Sequence, residues 1–350
     1  MLLIFSTSAL AQKKPTKNYV VGFYNLENLF DIYDDPVKND NEFLPDGANK
    51  WTQAKYEKKL ANMAKVLAEM KKENGVWHTL LGVSEIENRL VLEDLVSQPA
   101  IADANYQIIH YDGPDRRGVD VALLYNPKTF TYEASESIPF TFEGSSIDFL
   151  MDQERQEYFK TRDILMVRGL IDEEKVAIYV AHLPSRAGGR KGGNQLRDRG
   201  AEIIYNHAMA LQEEFPGIKI IVCGDMNDNP TDPSMAEYLR GKEKIKDVTD
   251  KDFFSPFTSM LKAGFGSLAY QGVWSIFDLI LVNKALVDAP EGTLKIRQLH
   301  RRGYYGRIFK KPFLITQKGQ YKGYPFRTFS GGSFIGGYSD HLPVYIVISK

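Results

Sequence analysis

The chain of 350 residues contains one cysteine, Cys223. A single thiol excludes an intramolecular disulfide framework and any cysteine-rich zinc site. Its place at the end of the apolar run Ile218 to Cys223 is that of a small buried hydrophobe. An excess of one charge is missing too, since 44 Lys plus Arg stand against 45 Asp plus Glu, a formal net charge of -1. That average neither points to an anionic partner nor excludes one, so the distribution has to be read instead. Beyond the N-terminus no stretch approaches the ~18 apolar residues a membrane-crossing helix needs, and no stable membrane insertion is expected. There is no tandem repeat, no collagen or coiled-coil period, and no convincing inter-domain linker. What is present is 43% hydrophobic residues, enough for a sizeable core.

The N-terminus reads MLLIFSTSALAQKK, an apolar stretch ending in the small residues of Ala9-Leu10-Ala11. It resembles the end of a secretory signal peptide, although it is short and lacks a positive n-region. The expectation is a signal remnant and linker over residues 1–18, a secreted or periplasmic protein, and one domain over 19–350 acting as a monomer.

Strands are predicted for Tyr19 to Tyr24, Thr79 to Ser84, Tyr106 to Tyr111, Val119 to Tyr125, Ile164 to Leu170, Val176 to Ala181, Ile218 to Cys223, Ile276 to Val282 and Leu342 to Ile348. Lys55 to Lys72 places Leu60, Met63, Ala64, Leu67 and Met70 at helical spacing, and Asn194 to Leu211 has a long helical period. Glu87 to Val96 and Pro233 to Arg240 read as shorter helices. Segments 31–55 and 292–339 read as insertions, and Glu133 to Lys160 has no firm assignment. Several strands follow one another mid-chain, so two packed sheets with outer helices fit better than a doubly wound sheet.

Polar residues with catalytic capacity sit where these buried strands surface. Asn25 and Glu27 follow the first, Glu85 the second, His182 the sixth, and Asp225 and Asn227 the seventh; Asp278 lies near the start of the eighth, and Asp340 and His341 precede the last. Taken singly each has an ordinary reading: Glu85 as a helix cap, Asp225 as a strand terminator, His182 as a structural imidazole, Asp278 as a turn acceptor. Together they are the groups that phosphoester hydrolysis demands. The phosphoryl oxygens are already negative, so the site must offer a cation, a base for water and relief for charge on the departing oxygen. Oxygen ligands favour Mg²⁺, with Mn²⁺ as an alternative, over zinc. Asp340 and His341 are neighbours and would point to opposite faces of a strand, so both can enter one cleft only from a loop.

The ordered set Asn25-Leu26-Glu27-Asn28, Glu85, His182, Gly224-Asp225-Met226-Asn227, Ile276-Phe277-Asp278 and Ser339-Asp340-His341-Leu342-Pro343 resembles the endonuclease/exonuclease/phosphatase superfamily from about Tyr19 to Ile348. The resemblance implies the DNase I-like fold, an α/β (α+β) four-layer α/β/β/α sandwich of two packed mixed sheets flanked by helices. It implies Glu85 as principal metal ligand, Asn25 and Glu27 arranging that end, and Asp340 contributing directly or through water. His341 would handle the attacking water or contact the phosphate, with Asp278 orienting it, and either His341 or Asp225 would take the water's proton. Asn227 would hold a phosphate oxygen and His182 would stabilise developing charge.

Candidate substrate contacts are Asn25, Arg116, Arg117, Arg186 and Arg190. From 292 to 339 there are ten Lys or Arg and no acid, interleaved with Tyr304, Tyr305, Phe309, Phe313, Tyr321, Tyr324, Phe326 and Phe329. Such a mixture suits a DNA or RNA strand, and equally a phosphorylated sugar or lipid headgroup, or mere packing. The function expected is metal-dependent hydrolysis of phosphodiesters in nucleic acid, with a phosphatase or phosphodiesterase on small sugar, inositol or nucleotide phosphates as alternative. A non-catalytic phosphate-recognition domain and a calcium-stabilised scaffold are the non-enzyme alternatives.

Overall fold

The computed structural model describes residues 16–186, 193–299 and 303–350. The signal-like residues 1–15, together with Arg190, lie outside the described residues. In chain order the larger elements are β1 (Asn18–Leu29), α1 (Gln53–Asn74), β2 (His78–Ile86), α2 (Arg89–Val96), β3 (Gln107–His110), β4 (Asp120–Tyr125), β5 (Thr131–Ile138), β6 (Ile164–Ile171), β7 (Glu174–His182), α3 (Gly193–Glu214), β8 (Lys219–Asp225), β9 (Asp278–Asn283) and β10 (Val344–Ser349).

Two β-α-β units of like build set the frame. β1 and β2 pair in parallel across α1, and β7 and β8 pair in parallel across α3, each helix being 22 residues long. Every other pairing between the lettered strands is antiparallel. One sheet runs β10-β1-β2-β4-β3 and the other β5-β6-β7-β8-β9, with short strands extending both. β1, β2 and β8 are buried along almost their whole length, the mark of strands covered on both faces. α1 buries Tyr56, Leu60, Met63, Ala64, Leu67 and Met70, one apolar stripe at 3–4 residue spacing. It stops at Gly75, whose φ of 75° lets its N–H cap the carbonyl of Lys71.

The two sheets press their inner faces together. They approach tightly at Gly82, where an added Cβ would lie 2.8 Å from Cys223 Sγ and 3.1 Å from Val180 Cγ1. Cys223 is thus a buried inter-sheet contact, and burial pushes its thiol far above the ordinary range. Gly82→Ala is expected to destabilise the fold by about 1–3 kcal/mol through overpacking, read as a lower urea midpoint at unchanged m-value.

Because both parallel pairs end on the same side, the C-terminal ends of β1, β2, β7 and β8 meet the starts of β9 and β10. Asp278 pairs in register with Asp225 and His182 with Asp225, while Phe23 faces Val344. That edge, between the sheets, is where the polar residues collect.

Three segments gain a definite structure that the sequence alone did not assign. β5 occupies part of the interval left unassigned, since Thr131, Tyr132, Glu133 and Glu136 face solvent on an edge strand and dilute its apolar signal. Segment 31–55 is anchored by Phe43 stacked on Phe30 and edge-on to Trp51. Within 292–339, Lys295–Ile296 and Gly306–Ile308 pair with β10 and so belong to the sheet. Among the described residues no helix is long and apolar enough to cross a membrane.

Candidate active site

The local backbone at the strand ends turns polar side chains into the cleft. Glu27, Glu85 and Asn227 all have left-handed φ, at 50°, 57° and 51°. Such conformations cost non-glycine residues energy and persist where tertiary structure fixes them, commonly at functional sites. Register breaks accompany two of them, between Asn25 and Leu29 and between Ser84 and Ile86, and a bulge of this kind re-aims a side chain.

His341 sits in the loop before β10, as the adjacency with Asp340 requires. Its Nδ1 lies 2.8 Å from Asp278 Oδ2, which also accepts the Ser267 hydroxyl, and its Nε2 lies 3.8 Å from Asp225 Oδ2. Its backbone N–H donates to Ser339 Oγ, and that hydroxyl donates to the carbonyl of Asn25, tying the loop to the end of β1. Burial opposes a charged imidazole, but Asp278 and Asp225 outweigh it and hold the His341 pKa well above the ordinary value. The imidazolium is therefore the resting form near neutrality.

Asp225 is the centre of the cluster. Oδ2 accepts Asn25 Nδ2 at 3.0 Å and Oδ1 accepts the Asn227 N–H at 3.0 Å. Burial pushes its pKa up to about 6, against the pull of the His341 charge. Asn227 Nδ2 donates to the carbonyl of Leu183. On the other side His182 Nε2 stands 3.6 Å from Asp225 Oδ2 and 3.9 Å from Glu85 Oε1, while its Nδ1 is buried without a hydrogen-bond partner. Burial first, then Arg162, Arg117 and His341, hold its pKa well below the ordinary value, so His182 is neutral.

Of the residues expected to hold a metal, Glu85, Glu27, Asn25 and Asp340, the first stands beside His182 and Asp225, which were expected in catalytic roles. Glu85, His182 and Asp225 each offer a ligand atom within 4.8 Å of the others, and Glu85 Oε2 accepts the Asn28 N–H. Glu27 and Asp340 are instead bridged by Arg327, whose Nε reaches Glu27 Oε1 at 3.1 Å and Nη2 reaches Asp340 Oδ2 at 3.0 Å. Glu27 also accepts the Thr328 N–H at 2.7 Å and faces Lys59 Nζ at 3.8 Å. Burial and the nearby Asp340 nonetheless raise Glu27 to about 7. Asn25 turns its amide nitrogen to Asp225 and its oxygen to the Glu27 N–H, so it orients the two acids.

A hard divalent cation fits this donor set. Glu85 is partly exposed, it shares reach with Asp225 and His182, oxygen ligands predominate, and His182 Nδ1 is buried without a hydrogen-bond partner.

Arg116 and Arg117 line a cavity of about 840 Å³ beside His182, together with Lys160, Arg162, Arg186 and Arg197. Arg186 is engaged by Asp228 and Asp232 and donates to the carbonyl of Asn227 at 2.8 Å, so it braces the Asn227 loop as well as lining the cavity. Arg116 donates to the carbonyl of Tyr158. Asp120 accepts the Gly113 N–H and faces His110 Nε2 at 3.3 Å.

Sequence reasoning missed Lys59, Arg162, Ser267 and Arg327. Arg162 donates to the carbonyls of His182 and Leu183 and to Asp115, fixing the end of β7. Lys59 was discoverable: it lies three residues after Tyr56 and four before Met63, on the apolar stripe of α1, where a lysine needs a buried partner.

A profile of the Endonuclease/Exonuclease/phosphatase family matches residues 20–350. Among solved structures, D. rerio TDP2 complexed with single-strand DNA product is similar at TM-score 0.53 and 14% identity, over 95% of this chain and 99% of that one. The human nocturnin catalytic domain with bound sulfate gives 0.51 and 14%, over 95% and 94%. A mannosyl-6-phosphatase of Bacteroides thetaiotaomicron gives 0.54 and 12%, over 94% and 99%. A search of curated proteins returned no match. These likenesses show the expected four-layer fold of two mixed sheets between helices.

Proposed function

The chain belongs to the Endonuclease/Exonuclease/phosphatase family, and on that premise we propose that it hydrolyses phosphoester bonds with a hard divalent cation, Mg²⁺ or Mn²⁺. The observation that carries this reading is the row Asp278, His341, Asp225, His182, Glu85 across one cleft, with neighbouring groups 2.8 to 3.9 Å apart. A cation held by Glu85, with Asp225 and the Asp340 side near, would polarise a phosphoryl oxygen.

The chain's own residues supply the rest. The His341 imidazolium, fixed by Asp278, donates from Nε2 to a phosphoryl oxygen. Asp225, ionised above about pH 6, accepts the proton of the attacking water. The Asn227 amide steadies a phosphate oxygen, and neutral His182 donates from Nε2 where charge develops. Lys59 and Arg327 hold Glu27 and Asp340 in place.

For substrate, side-chain placement favours a small phosphoester over a nucleic-acid strand. Of the eight aromatics interleaved with the basic residues after 292, Tyr321 alone is exposed, and the others pack the segment into the fold. A strand needs successive rings along a groove. The similarity to a mannosyl-6-phosphatase agrees with this reading, and the similarity to TDP2 bound to DNA product makes DNA the necessary comparison.

The test is a screen of the purified chain with Mg²⁺ or Mn²⁺ against sugar phosphates, nucleotides, inositol phosphates, RNA, and single- and double-stranded DNA. Metal-dependent phosphate release from small esters, abolished by chelation, is the expected result. Efficient DNA cleavage with poor turnover of small esters would overturn the substrate class. A folded, metal-loaded chain that cleaves no ester would overturn the enzymatic reading altogether.

A further inference from the structure

A second cavity, of about 880 Å³, shares no lining residue with the arginine-rich one and reaches the reaction centre at Arg327 and Asp340. It is built by the hairpin Leu268–Tyr270 and Val273–Ser275 and by the segment around 316–335. Its walls are tied together, because Tyr324 Oη accepts the Gly272 N–H at 2.6 Å and the Tyr324 ring packs on Trp274. They are also tied to α1. Lys59 Nζ donates to Thr328 Oγ1 and the carbonyl of Tyr338, each at 2.6 Å, and Asn62 Nδ2 donates to the carbonyls of Gly336 and Gly337. Arg327 is thus presented from a fixed frame, half exposed, with its guanidinium kept charged by Asp340 and Glu27.

The lining has a definite chemistry. Tyr270 and Tyr321 are 71% and 48% exposed, come from different segments, and border the same space. Around them stand the amides of Asn49, Gln271 and Gln320. Aromatic faces cover the C–H faces of a ring, and amides pair with its hydroxyls; the cations of this lining are Arg327 and Lys318. Pockets that fix a small molecule combine apolar faces with a few placed polar groups in this way.

We infer that this cavity receives the departing alcohol of the substrate and that the alcohol is a sugar, with Arg327 opposing the negative charge that grows on the ester oxygen. The inference rests on the phosphoester reading and names the substrate class of that same centre. In the reaction a water oxygen bonds to phosphorus while the bond from phosphorus to the sugar oxygen breaks. The water proton goes to Asp225, and the sugar oxygen, its charge met by Arg327, leaves and takes a proton from solvent. A sugar ring can arrive as a hexose phosphate or as the ribose of a nucleotide, and both belong in the test.

The experiment compares the parent, the Tyr270→Ala/Tyr321→Ala double variant and Arg327→Met on a hexose 6-phosphate, a nucleoside 5′-monophosphate, ethyl phosphate and p-nitrophenyl phosphate, with thermal melts as a folding check. The double variant should raise KM about tenfold on at least one sugar ester, from two lost ring contacts, and change ethyl phosphate less than about twofold. The sugar arm that loses more names the source. Arg327→Met should lower kcat on the sugar esters about 10²-fold and much less on p-nitrophenyl phosphate, whose leaving oxygen needs little charge relief. Equal losses of the double variant on the sugar esters and ethyl phosphate, no loss of it on either sugar ester, or an Arg327→Met loss as large on p-nitrophenyl phosphate as on the sugar esters would overturn the inference while leaving the hydrolase intact. A parent inactive on every ester would overturn both.

Discussion

His341→Ala is expected to reduce kcat/KM for phosphoester hydrolysis by about 10³- to 10⁴-fold, near the upper end of what one positioned acid–base group contributes. The size follows from what the imidazole joins. On one side Asp278, fully buried, fixes Nδ1 and keeps the ring charged; on the other, Nε2 faces Asp225 across 3.8 Å, where a phosphoryl oxygen must sit. Truncation removes the donor and also leaves Asp278 with the Ser267 hydroxyl as its remaining side-chain partner. A buried charge that loses its counterpart costs about 3–5 kcal/mol, so the melting temperature of this variant should fall as well. His341→Gln keeps a donor for Asp278 without a titratable proton, and should recover much of the stability but little of the rate. Steady-state kinetics beside calorimetric melts make the check. A His341→Gln enzyme within tenfold of the parent would reduce His341 to a structural brace.

The placement of such groups was readable because of where they lie. A buried strand must end, and a polar residue at that end, as at Asp225 or Glu85, is visible as a break in an apolar run. Their order along the chain then carried the fold. Residues that act from inside an element left weaker marks. Lys59 stands among several lysines of α1, and its place on the apolar stripe asks for a buried partner, but Thr328 and Tyr338 lie more than 260 residues away in sequence, so the local pattern does not name them. Arg327 was hidden for the opposite reason, as one of ten cations in a basic segment whose only distinction for this residue is the pair of carboxylates it bridges. The same segment shows what composition cannot say. Its aromatics suggested a stacking surface, but composition does not fix which way a ring faces, and Phe329 packs on Trp51 and Phe334 instead. β5 escaped assignment because an edge strand with solvent-facing polar residues lacks a continuous apolar run.

Asp225→Asn is expected to lower kcat by about 10³-fold and to remove the acid limb of the pH–rate profile. The carboxylate accepts one hydrogen bond on each oxygen, from Asn25 and Asn227, so its position is fixed before substrate binds. Burial raises its pKa while the His341 charge lowers it, leaving it at about 6, far closer to working pH than an ordinary aspartate. The sign is therefore set: below about pH 6 the group is protonated and cannot take the water's proton, so the parent's rate falls as pH drops through that value. Asparagine does not titrate, and it also sets an N–H against one of two existing donors, so the residual rate should be low and flat across that window. Loss of metal would mimic the first effect but not the second. Mn²⁺ affinity should therefore be measured on this variant beside Glu85→Gln, with the larger weakening expected in Glu85→Gln. A limb near pH 6 that persists in Asp225→Asn would move the base to another group, and Glu27, raised to about 7, would be the first to examine.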